Sequence, residues 1–371
     1  EVRRRVAATF GRLTGRAAGN LVAFRIEATD AAASPATSVF PSGEFTVASA
    51  GQECLIRWGD PVPFGTFAHY HLWSTQATEQ SRTAGLDNTY RDATLVYNTD
   101  RVIYNVGFRD KASPWHGGRG DFAVEVPKDD RLLGADERVF ASTGNATSEP
   151  TAIRSQLAAW LHQQQGVPYL HAHYMRLYRN GSEPYNVMED LEQPDHAYAE
   201  RWLPDGGEGD LYKIAMWFEF QDDNSQFNAV SATLERFTSG SALKLARYRW
   251  TFQRRSNDGT ATNYTTIFDL VNAANVTGTS YVDGLLTIAD IDQWMRTFSC
   301  GWIMGDWDMW SYRVGQNMYL YKQPGLRSVL MRWDIDFTFG LGDGATSALW
   351  GGQDPVVNRM YDTPAFRRML W

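Results

Sequence analysis

The chain has 371 residues, 43% of them hydrophobic and 21% charged, with a formal net charge of -8 and an isoelectric point near 5.4. That length allows two lobes around separate cores, because single cores stop growing near about 250 to 300 residues. The acidic balance excludes nucleic acid as a general partner, which needs a basic surface or stripe, but leaves room for a local basic pocket that takes a small phosphate ligand. No apolar run approaches the roughly 18 residues of a bilayer span, so no membrane-spanning helix is expected.

Fourteen Trp, 17 Tyr and 19 Phe make 13% of the sequence, which favours strands, mixed sheets and aromatic-lined clefts over a plain helical bundle. Cys54 and Cys300 are the only two cysteines and give neither a disulfide framework nor a zinc pattern. The first residue is Glu1 rather than Met, as expected of a trimmed chain, so the absence of a signal peptide or flanking domains here carries no information.

Residues 1–50 carry Arg3, Arg4 and Arg5 and an Ala/Ser/Thr/Pro stretch, and read as an adapter or linker with a strand or two. Residues 51–221 read as a β-rich part like a kinase N-lobe. Strands are expected at Cys54 to Trp58, Ala68 to Trp73, Ala93 to Tyr97 and Arg101 to Phe108, and from Phe122 onward. The loop from Trp115 to Asp121 holds three glycines but matches no nucleotide fingerprint, so it reads as a hairpin loop. A helix is expected over Thr151 to Gln165, with Ser148 as N-cap, Pro150 in its first turn and Ile153, Leu157, Trp160 and Leu161 on its apolar face. A strand from Tyr169 to Arg179 turns at Asn180-Gly181 toward Tyr185 to Met188. Ala197 to Trp202 then reads as helix and Asp210 to Ile214 as strand.

Residues 222–371 read as a helix-rich part like a C-lobe, with helices at Ala229 to Phe237, Thr266 to Ala274 and Ile288 to Phe298 from their three- and four-residue apolar spacing. The class expected is α+β, with two lobes and a ligand cleft between them.

Near the end, Ser328 to Met331 reads as a buried strand that opens onto Arg332-Trp333-Asp334-Ile335-Asp336, followed by a loop with Gly340, Gly342 and Gly344 expected to be mobile. Two carboxylates at i and i+2 at a strand mouth suit a divalent cation, since Mg²⁺ usually keeps one or two protein carboxylates and leaves its other positions to phosphate and water. Upstream lie Asp308 and then Asn317. A kinase needs an Asp to take the proton of the attacking hydroxyl, an Asn and an Asp to hold metal, and basic groups on the phosphates. The order Asp308, Asn317, Asp334 supplies the acid and the ligands.

Several ordered blocks make the chain resemble the CotH spore-coat kinases, an atypical secreted or surface family. They are Arg101 to Gly107, the helix at Arg154 with Gly166-Val167-Pro168, Tyr178 to Gly181, Glu189 to Glu192, Gly209 to Lys213, Gly305 to Asp308, Asn317 to Tyr321 and Trp333 to Asp336. The resemblance runs from about Cys54 to the C-terminus. It implies a two-lobed kinase-like fold that uses ATP with Mg²⁺ or Mn²⁺ to phosphorylate Ser or Thr of a protein, at a secreted or surface location. It also implies Asp308 as the catalytic acceptor, Asn317 and Asp334 as metal ligands, and Asp336 sharing the metal or holding its loop. Glu189 is expected to face the nucleotide or pair with a lysine.

The phosphate-binding lysine is expected at Lys111 or, second, at Lys213, with Arg109 and Arg119 as further phosphate contacts suited to bidentate binding. The step from Asp308 to Asn317 is nine residues, against about five in ordinary kinases, and no ordinary glycine-rich nucleotide loop occurs. A nucleotide-sugar glycosyltransferase would also use Asp334 and Asp336, but it leaves Asp308 and Asn317 without a task. An adhesion module on a kinase-like scaffold is the non-enzymatic alternative.

Overall fold

A computed structural model describes residues 14–41, 52–85, 87–111, 120–142, 153–183, 187–203, 208–220, 227–255, 262–342, 344–348 and 350–371. The chain groups into two compact units, residues 1–143 with 173–192 and residues 144–172 with 193–371.

Strands dominate the first unit. Its elements are β1 (Leu21–Phe24), β2 (Ile26–Thr29), β3 (Thr37–Phe40), β4 (Cys54–Arg57), β5 (Ala68–Trp73), α1 (Gln76–Ala84), β6 (Arg91–Tyr97), β7 (Arg101–Asp110), β8 (Phe122–Glu125), β9 (Glu137–Ser142), β10 (Ala172–Arg179) and β11 (Met188–Glu192). Seven of the strands close into a barrel in the order β10-β11-β9-β8-β7-β6-β5. Closure comes from parallel pairing of β10 with β5, with Met175 opposite Ala68 and Arg179 opposite Leu72, and it leaves no unpaired edge. Asn180 (φ 47°) and Gly181 (φ 82°) turn the chain after β10, both in the left-handed region that a tight hairpin requires. Leu95, Ile103, Phe108, Phe140, Leu177 and Met188 fill the core.

The second unit contains α2 (Arg154–Gln164), α3 (His196–Trp202), β12 (Asp210–Ile214), β13 (Trp217–Phe220), β14 (Phe227–Val230), β15 (Thr238–Ser239), β16 (Ala242–Leu243), α4 (Leu245–Thr251), β17 (Phe252–Arg254), α5 (Thr265–Ala274), α6 (Ser280–Ile288), α7 (Ile291–Met304), β18 (Met318–Lys322), β19 (Val329–Arg332), α8 (Pro355–Asp362) and α9 (Pro364–Leu370). An antiparallel sheet, β17-β12-β18-β19, packs with these helices around Trp294, Phe298, Trp310 and Tyr361. Residues 193–221 therefore fall in this unit, where β12 pairs with β18.

The mixed α+β class holds, while several segments differ from expectation. Residues 231–237 are not helical: β14 precedes them, and their backbone donors are taken by distant acceptors. Ala232 N–H donates to Gly315 O, Leu234 N–H to the Asp354 carboxylate and Phe237 N–H to the Tyr248 hydroxyl, so an i to i−4 ladder cannot form there. The expected helix over Ile288 to Phe298 is divided at Ala289 and Asp290, with α6 before the break and α7 after it. The helix over 151–165 is found as α2, but Ile153, Leu157 and Trp160 are exposed, and the buried residues are Ala158, Ala159 and His162. Helices α1, α4, α6, α8 and α9 were not expected from spacing. Ser148, Pro150 and most of the Trp115 to Asp121 loop, with Arg119, lie outside the described residues.

Candidate active site

Helix α7 begins at Asp290, whose side chain accepts from Gln293 N–H, and ends at Gly305 in the left-handed conformation (φ 68°) that favours glycine at a helix C-terminus. The chain then passes through a tight loop to Gln316 and Asn317 and enters β18. Met309 O accepts from Tyr312 N–H, Trp307 O from Arg313 N–H, and Gln316 O from Trp310 N–H at 2.7 Å. In the β18–β19 hairpin Met318 lies opposite Arg332, which brings Asn317 beside Trp333. Trp333 N–H donates to Asn317 O at 3.3 Å. Asp308, Asn317 and Asp334 thus reach one end of this hairpin from three separate segments.

Asp308 is 7% exposed. Gln316 Nε2 donates to its Oδ1 and Asn317 Nδ2 to its Oδ2, each at 2.7 Å. Burial pushes its carboxyl up to about 7, with the nearby Asp334 charge acting in the same direction and the two amides opposing it. Asp334 is exposed and has φ 56°; Asn317 has φ 59°. Two non-glycine residues held in this sparsely populated region at one hairpin end are the kind of local strain that clusters at functional sites. Asp336 is half-buried, and Ile335 between the acids packs on Ala158, Cys300 and Met304.

The following loop, expected to be mobile from its glycines, is hydrogen-bonded at its first residues. Phe339 N–H donates to Met304 O at 2.7 Å and Trp307 Nε1–H to Leu341 O at 2.5 Å. A side chain at Gly342 would run into the Trp307 indole.

These groups fit a hard divalent cation. Asn317 spends its amide nitrogen on Asp308 and keeps its amide oxygen, and Asp334 adds a carboxylate at the same hairpin end, oxygen donors of the kind Mg²⁺ and Mn²⁺ prefer. A cation would also offset the repulsion recorded in the raised Asp308 carboxyl. Among the described residues no group of three or more His, Cys, Asp or Glu side chains is placed to hold a metal.

Of the other expected residues, Lys213 belongs to the same unit. It lies on β12, with Nζ 5.7 Å from the centre of the Trp333 ring, next to Asp334. Arg109, Lys111 and Glu189 belong to the barrel unit. Arg109 lies over the Tyr90 ring at 5.1 Å, Lys111 N–H donates to Asp121 O at 2.9 Å, and Glu189 is buried on β11 opposite Ala141.

Three residues were missed from sequence: Gln316, which shares Asp308 with Asn317, and Asp306 and Arg332, which form a buried ion pair. A signal existed for the last two. Each stands two residues before a named acid, and Arg332 ends an otherwise apolar strand.

Cys54 and Cys300 are both free and buried, and burial pushes each thiol up to about 11. No helix among the described residues is long and apolar enough to cross a membrane. A search of curated proteins returned no match. The family model described as CotH kinase protein matches residues 119–371, a span that leaves out the Arg101 to Gly107 block and takes in Asp308, Asn317, Asp334 and Asp336. The chain belongs to the CotH kinase protein family.

Proposed function

We propose that this chain is an ATP- and divalent-metal-dependent protein kinase that transfers the γ-phosphate to Ser or Thr of a surface or coat protein. The observation that carries the reading is Asp308, buried and held by two amides, with Asp334 near enough for its charge to be felt. An acid raised to about 7 is matched to general-base work near neutral pH.

In the reaction, Asp308 takes the proton of the acceptor hydroxyl. The hydroxyl oxygen bonds to the γ-phosphorus as the bond to the β–γ bridging oxygen breaks, and ADP leaves with that electron pair. Gln316 and Asn317 keep the carboxylate aimed by occupying one of its oxygens each. Asn317, Asp334 and Asp336 would hold Mg²⁺ or Mn²⁺, which neutralises charge on the phosphates when bound. Lys213, whose Nζ lies 5.7 Å from the Trp333 ring next to Asp334, is the proposed phosphate-binding lysine of this unit; Lys111, Arg109 and Glu189 are proposed as cofactor-binding residues of the barrel unit.

Incubated with labelled ATP and Mg²⁺ or Mn²⁺, the protein should label itself or a Ser-rich acceptor. Asp334→Ala should abolish labelling, and Asp308→Asn should lower kcat by about 10² to 10⁴ while nucleotide binding persists. Full activity in both variants would sink the proposal. Binding of UDP-sugars in preference to ATP would shift belief to a glycosyltransferase.

A further inference from the structure

Arg332 closes β19 and is 1% exposed, yet its guanidinium bonds two different segments. Nη2 pairs with Asp306 Oδ2, and Nη1 donates to the Asn317 backbone carbonyl at 2.8 Å. That same carbonyl accepts from Trp333 N–H, so it takes two donors where the backbone has a φ of 59°. Asp306 lies two residues before Asp308, and Asp334 two residues after Arg332. One side chain therefore joins the three segments that bear the acid and the ligands.

Stability does not explain the pair. Buried ion pairs recover little more than the cost of desolvating their charges, and apolar replacements are often neutral. This pair is also only partly satisfied: among the described residues, Arg332 Nε and Asp306 Oδ1 have no hydrogen-bond partner. What the guanidinium does provide is a planar fork that reaches a carboxylate and a carbonyl at once.

We propose that the Asp306–Arg332 pair is the positioning bracket of the site, holding the Asn317 peptide in its left-handed conformation and fixing the spacing of Asp308, Asn317 and Asp334. The proposal rests on the kinase reading above. It makes both residues positioning groups that act through Asn317 and through the segments they terminate.

The test compares Arg332→Lys, which keeps the charge but loses the fork, and Asp306→Asn, which keeps the shape but loses the charge, with the wild type. Calorimetric Mn²⁺ binding and phosphate transfer are both read. Both variants should stay folded by circular dichroism, with kcat down and the Mn²⁺ Kd up by about 10- to 100-fold, as for residues that orient metal ligands. The KM for the acceptor should hold.

A double variant, Arg332→Met with Asp306→Leu, guards against a single change that fails to fold. It should be folded and equally impaired. Wild-type kcat and Kd in any folded variant overturn the bracket, as does a loss of kcat that only tracks the unfolded fraction. A wild type that neither binds Mn²⁺ nor transfers phosphate overturns the kinase reading instead, and the bracket with it.

Discussion

The Arg138–Asp190 pair of the barrel unit and the Arg332–Asp306 pair of the second unit are both deeply buried, and they differ in what surrounds them. Arg138 and Asp190 in the barrel unit are 2% and 0% exposed, and Arg332 and Asp306 are 1% and 0%, so depth of burial does not separate them. Partners do. Asp190 also accepts from the Tyr70 hydroxyl and has His173 Nε2 at 3.3 Å, while Arg138 Nη1 donates to Leu132 O at 3.3 Å. Among the described residues, no buried side-chain polar atom of the barrel pair is left without a hydrogen-bond partner. The hairpin pair leaves Nε and Oδ1 unmatched and instead spends a donor on the carbonyl of a candidate metal ligand. A saturated pair specifies packing, and a pair that gives up saturation for a link to a site specifies the site's geometry.

The largest expected effect that can break this comparison is in the barrel. Asp190→Leu alone leaves the Arg138 charge buried without its carboxylate and should cost about 3 to 5 kcal/mol in urea unfolding. Adding Arg138→Met should recover at least half of that loss, because the uncompensated charge is then gone. Phosphate transfer should fall only in step with the fraction unfolded. A folded Asp190 variant with a specific loss of kcat would erase the distinction between the two pairs.

A smaller effect concerns an acid buried with no arginine against it. Asp354 caps α8, accepting from Val356 N–H at 2.9 Å and, through its other oxygen, from Leu234 N–H at 2.8 Å. Burial nevertheless pushes its carboxyl up to about 6 from an ordinary value of 3.8. With the folded value raised, the native state holds the proton more tightly than the unfolded chain. Its contribution to stability is therefore complete below about pH 4 and is lost as pH rises through about 6. That loss is at most about 3 kcal/mol. Asp354→Asn, which can still cap the helix, should flatten the fall in unfolding free energy between pH 4 and 7. An unchanged slope would mean that another buried acid sets it.

What was legible in the sequence was local. The strands Ala68–Trp73 and Asp210–Ile214 have the bounds read from the sequence, because strand-forming composition between turn residues is a property of neighbouring residues alone. Closure of the barrel by β10 against β5 depends on strands distant in sequence, which no local pattern encodes. At the site, the order Asp308, Asn317, Asp334 could be read from residue types and spacing. The residues that hold them could not, since the contact of Arg332 with Asn317 exists only through the register that sets Met318 opposite Arg332. Residues 231–237 fail for the same reason: their apolar spacing suits a helix, but Gly315, Asp354 and Tyr248 claim their donors from afar.

Helix α2 supplies the smallest effect, and it separates apolar character from burial. Its large side chains Ile153, Leu157 and Trp160 are 53%, 38% and 52% exposed, while Ala158 is fully buried against the cluster of Cys300, Met304 and Ile335 beneath Asp334. Small residues let α2 come close to α7, and His162 Nδ1 lies 2.8 Å from Ala158 O within that contact. Trp160→Gln should therefore shift stability by no more than about 0.5 kcal/mol, as surface changes do. Ala158→Leu adds volume where none is available and should cost about 1 to 3 kcal/mol. Because Ile335 lies in the same cluster, that overpacking should also weaken Mn²⁺ binding, whereas Trp160→Gln should leave it alone. The opposite ranking of the two changes in thermal unfolding would make the outer face of α2 the packed one.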